Sequence, residues 1–371
     1  MSRSAQDLGL HRKNLVVQAP GEDISDFLPR LWFDEYKRRL WVTVFIWDAH
    51  MALMLGRVRM INASDCTVMV PTDCDIPLDL TTRIPMPPSS APWSSPYTAQ
   101  IFHYTISHKI HEMLSSSAGN VDAQSHQKVQ MLDNEVRFRI MNLPEALQPH
   151  VQNTVWDTGH PDLPQQRLQN GVIANSFLMA LHRPYANTQV TSRDAGIEAA
   201  LETLDLQQRQ FGWLKKHQYR IYGFSFFTIN AGIFLSAVTL ERPPEQAEFA
   251  GRIYQALEQA IARLAAMKEQ NAMGKSGVEI LSQCYRTIIA SPVKKSPPQQ
   301  AFDYSIPVSH FPLMPTMAAN PYPAEQDLAP ELLSHGLDFS ATMLESMGLI
   351  PELLVDPSLE NTDWFNYTGP M

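Results

Sequence analysis

The chain has 371 residues, of which 44% are hydrophobic and 18% are charged, so it can build a sizeable core and carries too little charge to be disordered throughout. Its three cysteines, Cys66, Cys74 and Cys284, form no C-x-x-C pair, which excludes a disulfide framework and a cysteine-rich zinc module from this sequence. The first 14 residues lack the apolar segment that secretory signals need, so no such signal is expected.

Negative charge is concentrated at one end of the chain. The net charge is −9, the last basic residue is Lys295, and residues 296–371 carry ten acidic residues and no lysine or arginine. The remainder is close to neutral, with 29 basic and 28 acidic residues. Such a division predicts a folded body followed by an interaction tail.

The first strong helix is predicted over residues 34–55. Asp34 is the expected N-cap, Glu35 can pair with Arg38 or Arg39 one turn on, and Gly56 follows where the helix should end. Apolar residues recur in steps of three and four and should form one stripe facing the core: Leu40, Trp41, Val44, Phe45, Trp47, Met51, Met54 and Leu55.

The rest of the body also reads as helical. Residues 71–97 are rich in proline and predict a surface loop. Between Tyr97 and Ser291 no sustained period-two alternation indicates a strand, so the predicted fold class is all-α. Thr191 and Ser192 are candidate N-caps. Helices are expected over 98–115, 127–141, 165–182, 192–216, 218–240, 245–270 and 277–290.

Residues 221–240 form a run of twenty uncharged residues, long enough to span a bilayer. Polar residues interrupt it at several positions, among them Ser225, Thr228 and Ser236, and there is no second apolar span of this length. A buried core helix is therefore favoured over a membrane helix.

Two motifs resemble catalytic or metal sites without completing them. Gly274–Ser276 is similar to the end of a phosphate-binding loop but lacks the earlier glycine, so a solvated turn between helices is expected. His103, His108 and His111 share a predicted helix without a nearby acidic or cysteine ligand, and we expect surface or capping histidines. The usual dinucleotide and hydrolase fingerprints are also absent from the sequence, so no enzyme and no bound cofactor are expected.

Direct binding to duplex DNA is not expected of this chain. Phosphate affinity needs clustered positive charge, whereas the body is nearly neutral and its basic residues come in pairs, such as Lys215 with Lys216. The acidic tail would oppose binding further.

The end of the chain divides into a linker and a tail. Residues 291–330 are rich in proline and glutamine, which is typical of a linker. Residues 331–371 interleave acids with bulky apolar groups, a composition typical of activation domains that fold on an apolar groove of a coactivator. A C-terminal helix docked on the body is the alternative. The candidate contact residues are Phe339, Met343, Leu344, Met347, Leu353 and Leu354.

Four motifs in order resemble the fungal-specific transcription factor domain, or middle homology region, of zinc-cluster transcription factors. They are Ala5–Lys13 (AQDLGLHRK); Glu35, Arg38, Arg39, Leu40 and Trp41 with Phe45 and Asp48; Leu55, Gly56 and Arg57; and Leu181–Tyr185 (LHRPY). Val42 and Val58 depart from the family pattern. If Asp48 is buried it needs a partner such as Arg57, because an unpaired buried carboxylate is costly; a functional carboxylate is the alternative.

The resemblance implies an all-helical regulatory domain over 1–290, incomplete at its N-terminus, in a nuclear regulator of RNA polymerase II genes that serves a metabolic or secondary-metabolite pathway. A six-cysteine zinc cluster and a dimerising linker are expected upstream, so zinc and DNA contacts would belong to that missing module and a homodimer is possible. The alternative is a shortened modulator that does not bind DNA and that dimerises with or titrates a full-length factor.

Overall fold

The computed structural model describes residues 2–55, 58–87, 95, 97–116, 123–244 and 246–290. Within these ranges the secondary structure is entirely helical, which confirms the all-α prediction. The tail predicted over 331–371 and the linker before it lie outside the described residues. The helices are α1 Ser2–Asp7, α2 Ile24–Leu55, α3 Thr98–Ser116, α4 Ala123–Met141, α5 Leu163–His182, α6 Val190–Phe211, α7 Tyr222–Glu241, α8 Ala247–Met267 and α9 Ala272–Ala290.

Helix α2 starts ten residues before its predicted beginning. The prediction that Asp34 is the N-cap was wrong, because the helix begins at Ile24 and Asp34 lies within it. Asp23 precedes the helix and its carboxylate accepts a hydrogen bond from the Ser25 amide at 3.0 Å, as an N-cap does. The helix continues through Pro29, which lies in its second turn. The end at Leu55 agrees with the prediction, while Leu40 is 41% exposed and does not belong to the buried stripe.

Helix α7 is a core helix, as predicted. It contains the one segment among the described helices that is long and apolar enough to cross a membrane, Gly223–Glu241, and 78% of that segment is buried inside the protein. Two of its hydroxyl groups are satisfied within the fold: Thr228 donates to the side chain of Gln207 at 2.6 Å, and Ser236 donates to the Gly232 carbonyl at 2.7 Å.

Two glycines let α7 and α9 cross closely. A Cβ on Gly232 would lie 2.8 Å from the side chain of Leu281, and one on Gly277 would lie 2.6 Å from Ile229. A Cβ at either position would therefore force the side chain of Leu281 or Ile229 to shift.

The boundaries of the later helices differ in two instructive places. Ser192 is not an N-cap, because α6 begins at Val190 and Ser192 points into the core, 1% exposed. Gly274–Ser276 is not a solvated turn between helices. It is part of the first turn of α9, where the Asn271 side chain accepts a hydrogen bond from the Gly274 amide at 3.1 Å.

One continuous cluster of buried side chains runs from Ala5 to Ile288 and touches every helix from α1 to α9. The paired helices α5 and α6 lie at its centre, with α2, α3 and α4 on one side and α7, α8 and α9 on the other. The N-terminal segment and the loop after α2 are therefore attached to the same core as the C-terminal helices.

Candidate functional site

The turn after α1 explains the Leu-Gly-Leu-His motif. Gly9 has a φ of +70°, a conformation that glycine adopts without strain. The Leu10 amide donates to the Ala5 carbonyl and the Gly9 amide to the Gln6 carbonyl, which is the hydrogen-bond pattern of a Schellman C-cap. The turn places Leu10 in the core and the His11 ring 5.7 Å from the ring of Trp41 on α2. Two motifs that are far apart in sequence thus meet.

A buried carboxylate organises the second motif. Glu35 is 0% exposed, with ion pairs to Arg39 at 2.9 Å and Arg38 at 3.2 Å, so the predicted pairing is confirmed. Both oxygens of Glu35 also accept from the Thr72 amide, at 3.0 and 3.2 Å. Arg39 donates onward to the carbonyls of Thr72 and Cys74, at 3.2 and 2.6 Å. This network fixes the loop after α2 against the helix.

Asp48 attaches the beginning of the same loop. Its carboxylate accepts from the backbone amides of Met60, at 3.0 and 3.1 Å, and Ile61, at 2.8 Å. Burial raises the pKa of Asp48, while the amides of Ile61 and Met60 and the nearby charge of Arg59 act to lower it. The expected partner, Arg57, lies outside the described residues, as does Gly56. The partners found are the two backbone amides and, at 3.5 Å, the Ser2 hydroxyl. The structural role of Asp48 is therefore to hold the beginning of the loop against α2.

Replacing Asp48 by alanine should destabilise the protein by about 3 kcal/mol, because two loop amides would lose a charged acceptor. The free energy of unfolding in urea measures this loss. Asp48→Asn, which keeps one acceptor oxygen, should lose less than Asp48→Ala, and Asp65→Ala on the exposed part of the loop is the control. An unchanged stability in Asp48→Ala would show that these hydrogen bonds contribute nothing net.

Of the three histidines of α3, His108 is exposed as predicted, whereas His103 and His111 are not the surface groups that the sequence suggested. His103 and His111 are 1% and 2% exposed, because α2 and α5 cover this helix. His111 stacks on Phe45 with ring centroids 4.4 Å apart, and His108 lies 4.6 Å from the same ring. In the part of the chain that the structure describes, no three His, Cys, Asp or Glu side chains form a group that could hold a metal ion.

A polar chain that sequence reasoning missed connects α4, α5 and α6. The His182 Nε2 lies 3.1 Å from Asp133 Oδ1, and its Nδ1 lies 3.0 Å from the Ser192 hydroxyl. Ser192 in turn lies 2.9 Å from His126 Nε2. Since a carboxylate only accepts, His182 donates to Asp133. When the His182 ring is neutral, Ser192 donates to its Nδ1 and accepts from His126. Burial would raise the pKa of Asp133, but the hydrogen bonds from His182 and Arg137 hold it below its ordinary value.

These three residue types also form catalytic triads, but the geometry here is that of a core connection. A nucleophilic serine must reach its substrate, whereas Ser192 is 1% exposed and His182 is 3% exposed. The network instead joins α4, which ends at Met141, to α5 and α6. His182 belongs to the Leu-His-Arg-Pro element, whose Leu181 lies in the core and whose Arg183 donates to the Asn230 side chain at 2.7 Å.

The cysteines do not fit a zinc cluster. Cys66 and Cys74 lie in the loop after α2 and Cys284 lies on α9, and all three are free. Burial raises the pKa of each thiol, to about 11 for Cys66, which disfavours the thiolate that zinc requires. No zinc chemistry is assigned to this part of the chain.

Residues 1–141 match the sequence profile of the fungal specific transcription factor domain. The comparisons with curated proteins and with solved structures gave no match. The match spans α1 to α4 and contains the motifs joined around Glu35 and Asp48. The extension of the resemblance to residue 290, including the Leu181–Tyr185 element, stays a prediction.

The described residues form an all-helical fold in which the networks around Glu35 and Asp48 hold the loop after α2 against that helix. Residues 1–141 are thus similar to the fungal specific transcription factor domain, and the similarity covers 141 of the 371 residues.

Proposed function

We propose that this chain is the regulatory and activating part of a nuclear transcription factor for RNA polymerase II genes, with residues 331–371 binding coactivators. The match of residues 1–141 to the fungal specific transcription factor domain carries the regulatory role. The activating role is supported by the segregation of ten acidic residues into residues 296–371, interleaved with bulky apolar groups. The resemblance to this family implies control of a pathway, and a metabolic or secondary-metabolite pathway is the proposed target.

DNA contact is proposed to come from a zinc-cluster module outside this sequence. The three cysteines here do not fit such a cluster, and the first 295 residues carry a charge balance too close to neutral for phosphate binding. A homodimer formed through that module is part of the same proposal.

The proposed activity is tested by joining the full chain to a foreign DNA-binding domain and measuring a reporter gene. We expect activation, and we expect ending the chain at residue 290 to abolish it. The triple variant Phe339→Ala, Leu344→Ala, Leu353→Ala should lose most of the signal, since these side chains would enter the coactivator groove.

The matched control removes three apolar side chains from the linker instead: Phe302→Ala, Phe311→Ala and Leu313→Ala. This variant should keep full activity. A fusion that is expressed at a normal level and gives no signal would contradict the activating role, and equal losses in both triple variants would contradict the assignment to residues 331–371.

A further inference from the structure

An open groove of about 460 Å³ lies between the N-terminal segment, α2 and the loop after α2. We refer to it as the N-terminal groove. One wall is the turn and extended segment from Leu8 to Val16, the second is the α2 face that carries Asp34 and Lys37, and Val68 and Met69 form the third. The groove thus adjoins the Glu35 network through Arg38, which lines the groove and pairs with Glu35.

The N-terminal groove has excess positive charge. Arg12, Lys13, Lys37 and Arg38 line it, against a single acid, Asp34. Asp34 is already engaged, since it accepts from Asn14 at 3.0 Å and pairs with Arg38 at 3.2 Å.

Three of the four cations have no acid of their own. Among the described residues, Arg12, Lys13 and Lys37 make no ion pair within 4.0 Å. The Arg12 side chain donates to the His11 ring, and Lys37 lies over the ring of Phe33. The groove therefore offers three charges to an anionic ligand.

Apolar side chains are exposed beside these charges. Leu8 is 75% exposed, Leu15 is 70% exposed and Met69 is 50% exposed. Adjoining exposed apolar groups rimmed by charge mark an interaction surface. A ligand that suits the groove has both carboxylates and bulky apolar groups.

We propose that the N-terminal groove binds the acidic segment 331–371 of the same chain. That segment carries no lysine or arginine and seven acidic residues: Glu331, Asp338, Glu345, Glu352, Asp356, Glu360 and Asp363. Its leucines, methionines and aromatic residues are spaced between those acids, so it presents both of the groups that the groove requires. Opposite charge brings the segment to the groove, and contact with Leu8, Leu15 and Met69 removes apolar surface from water.

The chain is long enough for this contact. Residues 291–330 connect the end of α9 to the acidic segment. A chain of this length spans roughly 35 Å on average when unstructured, and over 100 Å when extended. A folded body of this size has a radius of gyration of about 19 Å, so the segment reaches any face of it, at an effective concentration on the order of millimolar.

Occupation of the groove competes with any partner of the acidic segment. The same apolar side chains cannot be buried in the groove and in another protein at once. The docking itself does not depend on the proposed activating role, and it can be measured in a protein that activates nothing.

The test is zero-length carbodiimide cross-linking of the full chain, which joins carboxylates to lysines that they touch. We expect cross-links from residues 331–371 to Lys13 and Lys37. Lys268 and Lys275 are exposed and closer in sequence to the acidic segment, so they report random collision and should give little product. The yield at Lys13 should fall when salt is raised from about 0.1 to 0.5 M, because exposed pairs are screened.

Charge reversal separates the groove from general electrostatics. Arg12→Glu with Lys37→Glu leaves Lys13 as the reporter, and its cross-link yield should fall by about fivefold or more. Lys215→Glu with Lys216→Glu changes the net charge equally at another exposed site and should leave the yield unchanged.

Three results would overturn the proposal. One is equal cross-linking of Lys13, Lys268 and Lys275, and another is the absence of product at Lys13 and Lys37. The third comes from mixing isotope-labelled and unlabelled protein: links found mainly between copies would show that the groove binds the segment of a second chain. A normal melting temperature of the charge-reversal variants confirms that they are folded.

Discussion

Lowering the pH from 7 to 5 should reduce the free energy of unfolding by about 6 kcal/mol, a large part of the stability of an ordinary domain. The effect arises from His50, His103 and His111, which are each at most 2% exposed. Burial lowers the pKa of His50 to about 4, that of His103 to about 3, with the charge of His50 adding to the effect, and that of His111 to about 4, with Arg59 contributing.

The direction follows from the difference between the two states. In the unfolded chain these rings take up protons near pH 6.5, while in the folded protein they stay neutral until about pH 4. Between these values the unfolded chain binds more protons, so acid favours unfolding. Each histidine contributes about 2 kcal/mol at pH 5, since one pKa unit corresponds to about 1.4 kcal/mol. Asp48 acts in the opposite sense, because its raised pKa gives the folded form the proton first.

Urea unfolding at pH 7 and pH 5 measures this difference directly. His50→Gln should remove about a third of the pH dependence, whereas His217→Gln, at an exposed position, should remove none. A stability that is equal at the two pH values would mean that the buried rings find proton acceptors on protonation.

The histidines of α3 show which structural features can be predicted from a single sequence. The spacing of His108 and His111 placed them correctly on one helix, but the burial of His103 and His111 depends on which helices cover α3. That is a property of tertiary packing, which helical periodicity does not encode. Ser192 was likewise predicted to be a helix cap. Its hydroxyl instead bonds to His126 and His182, which lie 66 and 10 residues away, and the local sequence pattern does not indicate such partners.

Local pairs were predictable and distant ones were not. Glu35 and Arg39 are one helical turn apart, so their pairing follows from the helix itself. The backbone acceptors of Arg39 at Thr72 and Cys74 lie 33 and 35 residues away. Asp48 likewise has backbone partners at Met60 and Ile61, and backbone amides leave no residue type in the sequence to recognise. The N-terminal groove was missed for the same reason, since Lys13 and Lys37 come together only in the fold.

Replacing Glu35 by alanine should cost about 3–5 kcal/mol, the loss expected when one partner of a buried ion pair is removed. Arg38 and Arg39 have side chains that are 13% exposed, so both would stay largely desolvated without their carboxylate. The Thr72 amide would lose its acceptor as well, and the loop would remain attached to α2 mainly through Asp48 and the bonds from Arg39.

The effect of Glu35→Ala should therefore be largest in the loop after α2. Besides the lower melting temperature, trypsin should cut faster after Arg83, in the loop that Glu35 helps to hold. Glu198→Ala removes an exposed pair with Arg252, whose atoms are 3.4 Å apart, and should cost less than about 1 kcal/mol without changing that cleavage. If Glu35→Ala were no more destabilising than Glu198→Ala, the gain from the buried ion pairs would be cancelled by their desolvation cost. The charges of Glu35, Arg38 and Arg39 would then need an explanation other than stability.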